Sequence, residues 1–411
     1  MTLSNTISRE TDVVVVGAGI VGLATARALL REHPRRRVTV VDKEAEVAAH
    51  QSGHNSGVLH SGIYYRPGSL KANLCVQGRA ELEACCAAWG VPWERCGKVI
   101  VATRPGELDG LHMLLERGRA NGVEATPLDR RGLAEHEPHA DGVGALFVPA
   151  TGVVDYARVC RELAADLVAA GGRLCLERAV LGLDEHTDHV RVTTSDGPIR
   201  AGALVNCAGL HSDKVALAGG SNVPVQIMPF RGEYFELVES RRHLVRHLIY
   251  PVPDPRFPFL GVHFTRGIDG HVHAGPNAVP ALGRESYRWR TLDVGDVSAM
   301  VRAPATRRLA RRYWRTGIAE LDRSLRRSHF LRDLRRLVPD VGDGDLVRAG
   351  AGVRAQAVAP DGSLVDDFAL VETARCVHVV NAPSPAATAS IAIGRAVAER
   401  VERLGRPHPG P

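Results

Sequence analysis

Val13-Val14-Val15-Val16-Gly17-Ala18-Gly19-Ile20-Val21-Gly22, running on into Leu23-Ala24-Thr25-Ala26-Arg27-Ala28-Leu29-Leu30, decides the fold of this chain. Four consecutive valines suit a strand buried on both faces, because β-branched side chains pack well on a pleated surface. The glycines make a turn, and the residues after Gly22 are good helix formers. Pro34 and its neighbouring arginines stop the helix, and Val38-Thr39-Val40-Val41 makes a second strand ending at Asp42. This is a βαβ unit with the right-handed crossover that chain chirality imposes. Gly17 permits the tight turn, Gly19 lets the backbone approach a pyrophosphate, and Gly22 lets the helix pack on the sheet. Asp42, about twenty residues further on, can accept hydrogen bonds from a ribose 2′-hydroxyl. The segment is a Rossmann-type dinucleotide site, and FAD and NAD share its fingerprint, so the unit alone does not choose between them.

At 411 residues the chain has room for one or two domains, and 45% hydrophobic with 24% charged residues is the composition of a globular enzyme rather than a disordered chain. The basic residues are nearly all arginine, with lysine only at Lys43, Lys71, Lys98 and Lys214. That bias fits codon usage, and no nucleic-acid partner is expected from charge. The eight cysteines contain no C-x-x-C pair and no close His/Cys set, so free thiols are expected and neither zinc nor any other metal. Met1–Glu10 lacks the apolar core of a signal peptide, and no apolar run approaches the roughly twenty residues that span a bilayer. A cytoplasmic protein is expected, with contact to the inner face of the cell membrane as an option.

Beyond Lys43 the chain is rich in Gly, Ser and His up to Gly68, the texture of a loop lying against a ligand. Helices are expected over Leu70–Trp89, Leu108–Asn121 and Asp155–Ala170, the last ended by Gly171-Gly172. Gly90–Ala102 and Gly122–Pro127 read as extended, and Leu174–Leu183 and His189–Thr194 as strands. Ala203-Leu204-Val205-Asn206-Cys207-Ala208-Gly209 repeats the theme of a buried strand running into glycine, and is expected to return to the first sheet. Val223–Leu237, Leu248–Val252, Phe257–Thr265 and His271–Ala274 are set apart by Pro and Gly, and belong to a second, mostly antiparallel sheet. Val301–Leu337 has a helical pattern, Leu346–Val380 is strand-rich, and Ala386–Leu404 is a terminal helix.

A flavin enzyme needs one nucleotide site near its start and later returns that hold the flavin ring; Ala203–Gly209 and Asn381–Ser390 supply them. With Gly53-His54-Asn55-Ser56-Gly57-Val58-Leu59-His60-Ser61-Gly62-Ile63-Tyr64-Tyr65, Pro229-Phe230-Arg231-Gly232-Glu233-Tyr234, Gly261–Arg266, Gly275–Val279, Gly352-Val353-Arg354-Ala355-Gln356 and Asn381–Ser390, the chain resembles the D-amino-acid-oxidase-like flavoproteins. Within them it resembles the L-2-hydroxyglutarate oxidase/dehydrogenase group, from about Asp12 to Glu399. The resemblance implies an α/β protein, with a Rossmann-type FAD-binding domain (1–85, 150–222 and 340–411). A mostly antiparallel substrate domain (86–149 and 223–339) carries the basic helical segment 301–337. It implies FAD, held non-covalently, at Gly17, Gly19, Gly22, Asp42 and Lys43, at Ser52, Gly53, His54, Asn55 and Ser56, at Val180, Ala208 and Gly209, and at Ser384, Ala386, Ala387 and Thr388. His54 sits about where related dimethylglycine-type enzymes carry a histidyl–flavin bond. The implied activity is oxidation of L-2-hydroxyglutarate to 2-oxoglutarate, with electrons passed to oxygen or a membrane quinone.

Oxidising an α-hydroxy acid requires a carboxylate clamp, a base for the hydroxyl proton and a hydride path to the flavin. Arg354 suits the clamp, since a guanidinium grips a carboxylate through two parallel hydrogen bonds; a structural pairing with an acid such as Asp366 is the alternative. Histidine suits the base, and among the chain's 18 the candidates are His60 and His263, each in a dense motif. Tyr64, Tyr65 and Tyr250 could hydrogen-bond the substrate or pack the core. Arg231, Arg66 and Lys71 are unranked candidates for a distal carboxylate. Another hydroxy or amino acid is the competing substrate, and a non-catalytic nucleotide-binding protein the competing class, against which His60, His263 and Arg354 speak. The arginine-rich 301–337 reads either as a solvated face or as a basic amphipathic helix on anionic lipid, with Tyr313 and Trp314 at the interface.

Overall fold

The computed structural model describes residues 9–254, 261–288 and 290–404, so the first part of the expected strand Phe257–Thr265 lies outside the described residues. Glu10–Val16 forms the centre of the first sheet, flanked in parallel by Val38–Val41 on one side and Gly197–Asn206 on the other. Val15 stands opposite both Val40 and Val205, so the apolar run is covered by strands on each edge. Cys376–Asn381 adds in parallel beyond Gly197–Asn206; the first expected return, Ala203–Gly209, thus begins in this sheet, and the second, Asn381–Ser390, leaves it at Asn381. The expected single strand Leu174–Leu183 is two: Arg173–Cys175 pairs with Val38–Val41, while Val180–Glu185 joins Val190–Thr194 at the opposite side of the sheet. Glu177, at φ 55°, turns the chain between them.

The helices Ile20–Glu32, Tyr156–Ala169 and Ser390–Val401 share one core with this sheet, through Leu23, Leu29, Leu163, Ile393, Val15 and Val205. The terminal helix starts at Ser390 rather than Ala386, because the intervening residues form a loop.

The second sheet is antiparallel except where Leu248–Pro251 runs parallel to Lys98–Ala102. Its longest pairing joins Gln226–Leu237 to Leu346–Val358. The sequence grouped 340–411 with the nucleotide unit, but Leu346–Val358 is hydrogen-bonded along its length into this second sheet, and the chain re-enters the first sheet only at Ala369–Glu372 and Cys376–Asn381. The basic segment is not one helix. Val294–Arg302, Pro304–Leu325 and Arg327–Arg335 are separate, and the middle one is kinked at Tyr313. Pro304 lacks the N–H that would continue the first helix and suits the opening of the second. Phe330, Leu331 and Leu334 pack on the second sheet, whereas Trp314 and Ile318 are exposed. All eight cysteines are free thiols, and among the described residues no helix is long and apolar enough to cross a membrane.

Candidate active site

A cavity of about 1120 Å³ runs from the first sheet to the second. At its first end Gly17 has φ 107°, a region that disfavours side chains, and a Cβ there would collide with the Cys207 carbonyl. Gly19 is the extended N-cap of the first helix and faces the cavity, with no acid in the helix's first turn. Gly22 lies behind the lining, against the Gly17 carbonyl, where it holds helix to turn. Asp42 pins the turn to the second strand: its carboxylate accepts from Ala18 N at 2.6 Å and Glu44 N at 2.9 Å. Each carboxylate oxygen has a second lone pair, so a ribose hydroxyl can still be accepted. Lys43 lines the same end, paired with Glu44 and, at 2.7 Å, with Glu285.

The loop after the second strand folds along the cavity. The Ser52 hydroxyl accepts from Ile20 N at 2.9 Å, His54 packs its ring 4.5 Å from that of Tyr287, and Asn55 ties the loop together by accepting from Gly57 N at 2.8 Å. Ser56, Val180, Ala208, Gly209, Ser384, Ala386, Ala387 and Thr388 all line the wall. Gly53 does not; it sits tight against the Ala48 carbonyl, a requirement of the turn and not of a ligand. A helix start presenting backbone N–H groups, a carboxylate at the end of the second strand and an elongated chamber fit an anionic dinucleotide with a second ring system at its far end.

That far end lies between the sheets and is built from side chains. Arg354 on Leu346–Val358 stands opposite Phe230, with Tyr234 two turns of the strand alternation further along hydrogen-bonded to its guanidinium. Gly352, two residues before Arg354, packs so closely on the cofactor loop that a Cβ would lie 2.6 Å from the His54 carbonyl oxygen. His263 is 5% exposed, and its Nδ1 lies 2.8 Å from the Gly261 carbonyl. A carbonyl only accepts, so Nδ1 is assigned the hydrogen and Nε2 keeps a lone pair. Burial pushes His263 down to about 3; the Gly261 bond opposes this, and the charges of Lys98 and Arg354 add to it. His60, whose Nε2 is 3.3 Å from Ser384 Oγ, is likewise pushed well below the ordinary histidine range, by burial first and then by Lys98, His263, Lys71 and Arg354. Both rings are therefore neutral proton acceptors at neutral pH. Burial raises the Tyr64, Tyr65 and Tyr250 hydroxyls, which remain protonated donors. Tyr250 stacks on His263 with ring centroids 3.9 Å apart. Tyr64 lines the cavity, and its buried hydroxyl has no hydrogen-bond partner among the described residues.

Of the three candidates for a distal carboxylate, two are not brought here and one is. Arg231 is 2% exposed but lies off the cavity beside Glu233, at 3.6 Å, because strand alternation turns it away from the face that carries Gly232 and Tyr234 into the lining. Arg66 is exposed and off the cavity. Lys71 is in the lining, bonded to Asp366 at 2.8 Å and 5.3 Å over the Tyr65 ring. Asp366 is thus engaged by Lys71, and Arg354 by Tyr234. The kink turns Tyr313 inward, where it and Arg312 line the cavity, rather than outward beside Trp314 as the sequence suggested. The sequence missed Tyr234, Tyr287 and Lys98. Tyr234 stood inside a quoted motif, and Lys98 begins the otherwise apolar strand Lys98-Val99-Ile100-Val101-Ala102, an unusual place for one of four lysines.

The model of the family DAO, FAD dependent oxidoreductase, matches residues 12–400. The chain is 46% identical to L-2-hydroxyglutarate dehydrogenase of Indibacter alkaliphilus, across 94% of this chain and 98% of that protein. It is 43% identical to L-2-hydroxyglutarate dehydrogenase of Escherichia coli strain K12, across 96% of this chain and 93% of that one. It is 42% identical to the human mitochondrial L-2-hydroxyglutarate dehydrogenase, across 95% and 89%. Among solved structures, its fold is similar to the FAD-bound L-alpha-glycerophosphate oxidase of Mycoplasma pneumoniae, with a TM-score of 0.77 at 22% identity across 96% of this chain and 94% of that one. Glycine oxidase from Geobacillus kaustophilus gives 0.72 at 20% identity, across 96% and 95%. A dinucleotide cradle at one end of the cavity and an arginine with two neutral histidines at the other therefore belong to an enzyme with FAD as its cofactor, and the chain is a member of the FAD-dependent oxidoreductase family, in the group of the L-2-hydroxyglutarate dehydrogenases.

Proposed function

We propose that this enzyme oxidises L-2-hydroxyglutarate to 2-oxoglutarate. The observation that carries the proposal is the convergence of Arg354, His263, His60 and Lys71 on one end of the cavity. FAD, when bound, supplies the hydride acceptor at its flavin ring. Arg354, oriented by Tyr234, grips the carboxylate next to the reacting carbon. Nε2 of His263 takes the hydroxyl proton, with His60 as the alternative acceptor, and the protonated Tyr64 hydroxyl donates to substrate oxygen. Lys71 meets the distal carboxylate, which favours a dicarboxylic over a short monocarboxylic acid. His54 packs on Tyr287, and the flavin is held without a covalent bond, so acid precipitation releases all the yellow colour.

Electrons leave to oxygen or to a membrane quinone. For the quinone, the exposed Trp314 and Ile318 on a helix rich in arginine offer a surface for anionic lipid. Purified holoenzyme mixed anaerobically with a panel of hydroxy and amino acids tests the substrate: L-2-hydroxyglutarate is expected to bleach the flavin band near ~450 nm fastest. Faster bleaching by an amino acid or a monocarboxylic hydroxy acid overturns the assignment. Pelleting with anionic but not neutral vesicles, lost at high salt, is the expected result for the membrane surface; no pelleting removes it.

A further inference from the structure

Lys98 opens the strand Lys98–Ala102 and is 1% exposed, one of the largest fully buried side chains. Buried ammonium groups are normally neutralised by a carboxylate. Here, among the described residues, no carboxylate pairs with it. Its Nζ lies 4.0 Å over the ring of Tyr250 and 5.0 Å from that of Tyr64, so two aromatic faces take the place of a counter-ion. Tyr250 in turn stacks on His263 at 3.9 Å, and both tyrosines line the cavity, whereas Lys98 lies behind them. Register explains the layer: Lys98 pairs with Leu248, and Tyr250 lies two residues further along the same parallel neighbour.

We propose that Lys98 is a positioning residue of the oxidation: its buried head, held under Tyr250, fixes that ring against His263 and sets a cation behind the two histidines. This rests on the proposed histidine base. The groups around Lys98 are mostly uncharged or cationic, with Glu94, Arg266 and Arg79 further out, beside Cys96 and Cys75. Cys96 and Cys75 are thiols raised to about 11 and about 12, hence uncharged; Tyr64 and Tyr250 are protonated; and the neutral His60 and His263 feel the positive charges of Lys98 and Arg354, with Lys71 added at His60. The charges of Lys98 and Arg354 on both histidines, and of Lys71 on His60, all act to push their protons off. Burial also brings Lys98 itself down to about 7, so its charge is present on the acid side, where histidine protonation would stop the reaction. The same cationic field favours an anionic substrate, which completes the charge balance of the chamber on binding.

The test is the pH profile of kcat/KM of the FAD-loaded enzyme for Lys98→Met and Lys98→Arg, with flavin content and thermal midpoint measured alongside. Removing the cation lets the histidines hold their protons to higher pH, so the acid limb of Lys98→Met is expected to move towards alkali by about one unit, and kcat to fall about tenfold. Lys98→Arg keeps the charge and is expected to keep the limb in place even where kcat is lowered by its larger head. A purely structural lysine would lower flavin content or stability in both variants with the limb unmoved, and that result overturns the proposal. If Lys98→Met loads no flavin, the comparison of Lys98→Arg and Lys98→Gln decides instead: coincident limbs in those two likewise overturn it. Failure of the underlying reading is separate, since there His263→Gln and His60→Gln would both keep the parent's turnover whatever Lys98 does.

Discussion

The two ends of the cavity are made of different materials. The nucleotide end is backbone: Gly17 under the Cys207 carbonyl, Gly19 at a helix start, Ala18 N and Glu44 N held by Asp42. The far end is side chain: Arg354 with Tyr234, His263 on Tyr250, Lys98 behind them. A pyrophosphate is read by N–H groups that every residue owns, so the turn needs the absence of side chains. Oxidising one hydroxy acid needs particular charges and proton acceptors, so the other end needs their presence. Damage to the first end should therefore remove the cofactor outright, whereas damage to the second should leave a yellow protein that works badly.

The largest effect expected is from Gly17→Val, which needs a strained φ and overlaps Cys207. It should purify without the flavin absorbance and without activity, and a fully yellow Gly17→Val would break the contrast. Next is Arg354→Met, expected to bind FAD normally but lose about a thousandfold or more in kcat/KM, as removal of a charge-assisted bidentate contact costs roughly 3–5 kcal/mol. His263→Gln should cost about a hundredfold in kcat, at the low end for general-base catalysis, with His60→Gln costing less if His263 is the acceptor. The two measured side by side rank the histidines. The smallest effect is on stability. Because burial holds His263 near 3, the unfolded chain binds a proton in the window below about 6.5 that the folded chain refuses, so stability is lost as pH falls through that window. The drop in urea midpoint between neutral and acid pH should accordingly be shallower in His263→Gln than in the parent.

The same contrast explains what could be seen in the sequence. The nucleotide end was legible because its ligand is met by consecutive residues: Val13–Gly22 and Asp42 carry their own spacing. The return at Ala203–Gly209 was legible as the same pattern repeated, whereas Asn381–Ser390 was read from its likeness to a family motif. The sheet of Leu346–Val358, grouped by sequence with the nucleotide unit, was not legible, since an apolar strand does not say which neighbour it will pair with. Arg231 failed for a related reason. In a strand every second side chain faces away, and without the register of Gln226–Leu237 the face of Arg231 could not be read. Tyr313 was misassigned because the kink that turns it inward has no proline or glycine at its position to announce it. Lys98 escaped because its significance lies in Tyr250 and Tyr64, both distant in sequence. The one local hint was a scarce lysine at the head of an apolar strand.

Gly352 ties the two ends together. Its backbone lies against the His54 carbonyl with no room for a methyl group, and Arg354 is two residues further along the same strand. The loop that would lie along the flavin and the strand that carries Arg354 therefore touch backbone to backbone, and neither can shift there without moving the other.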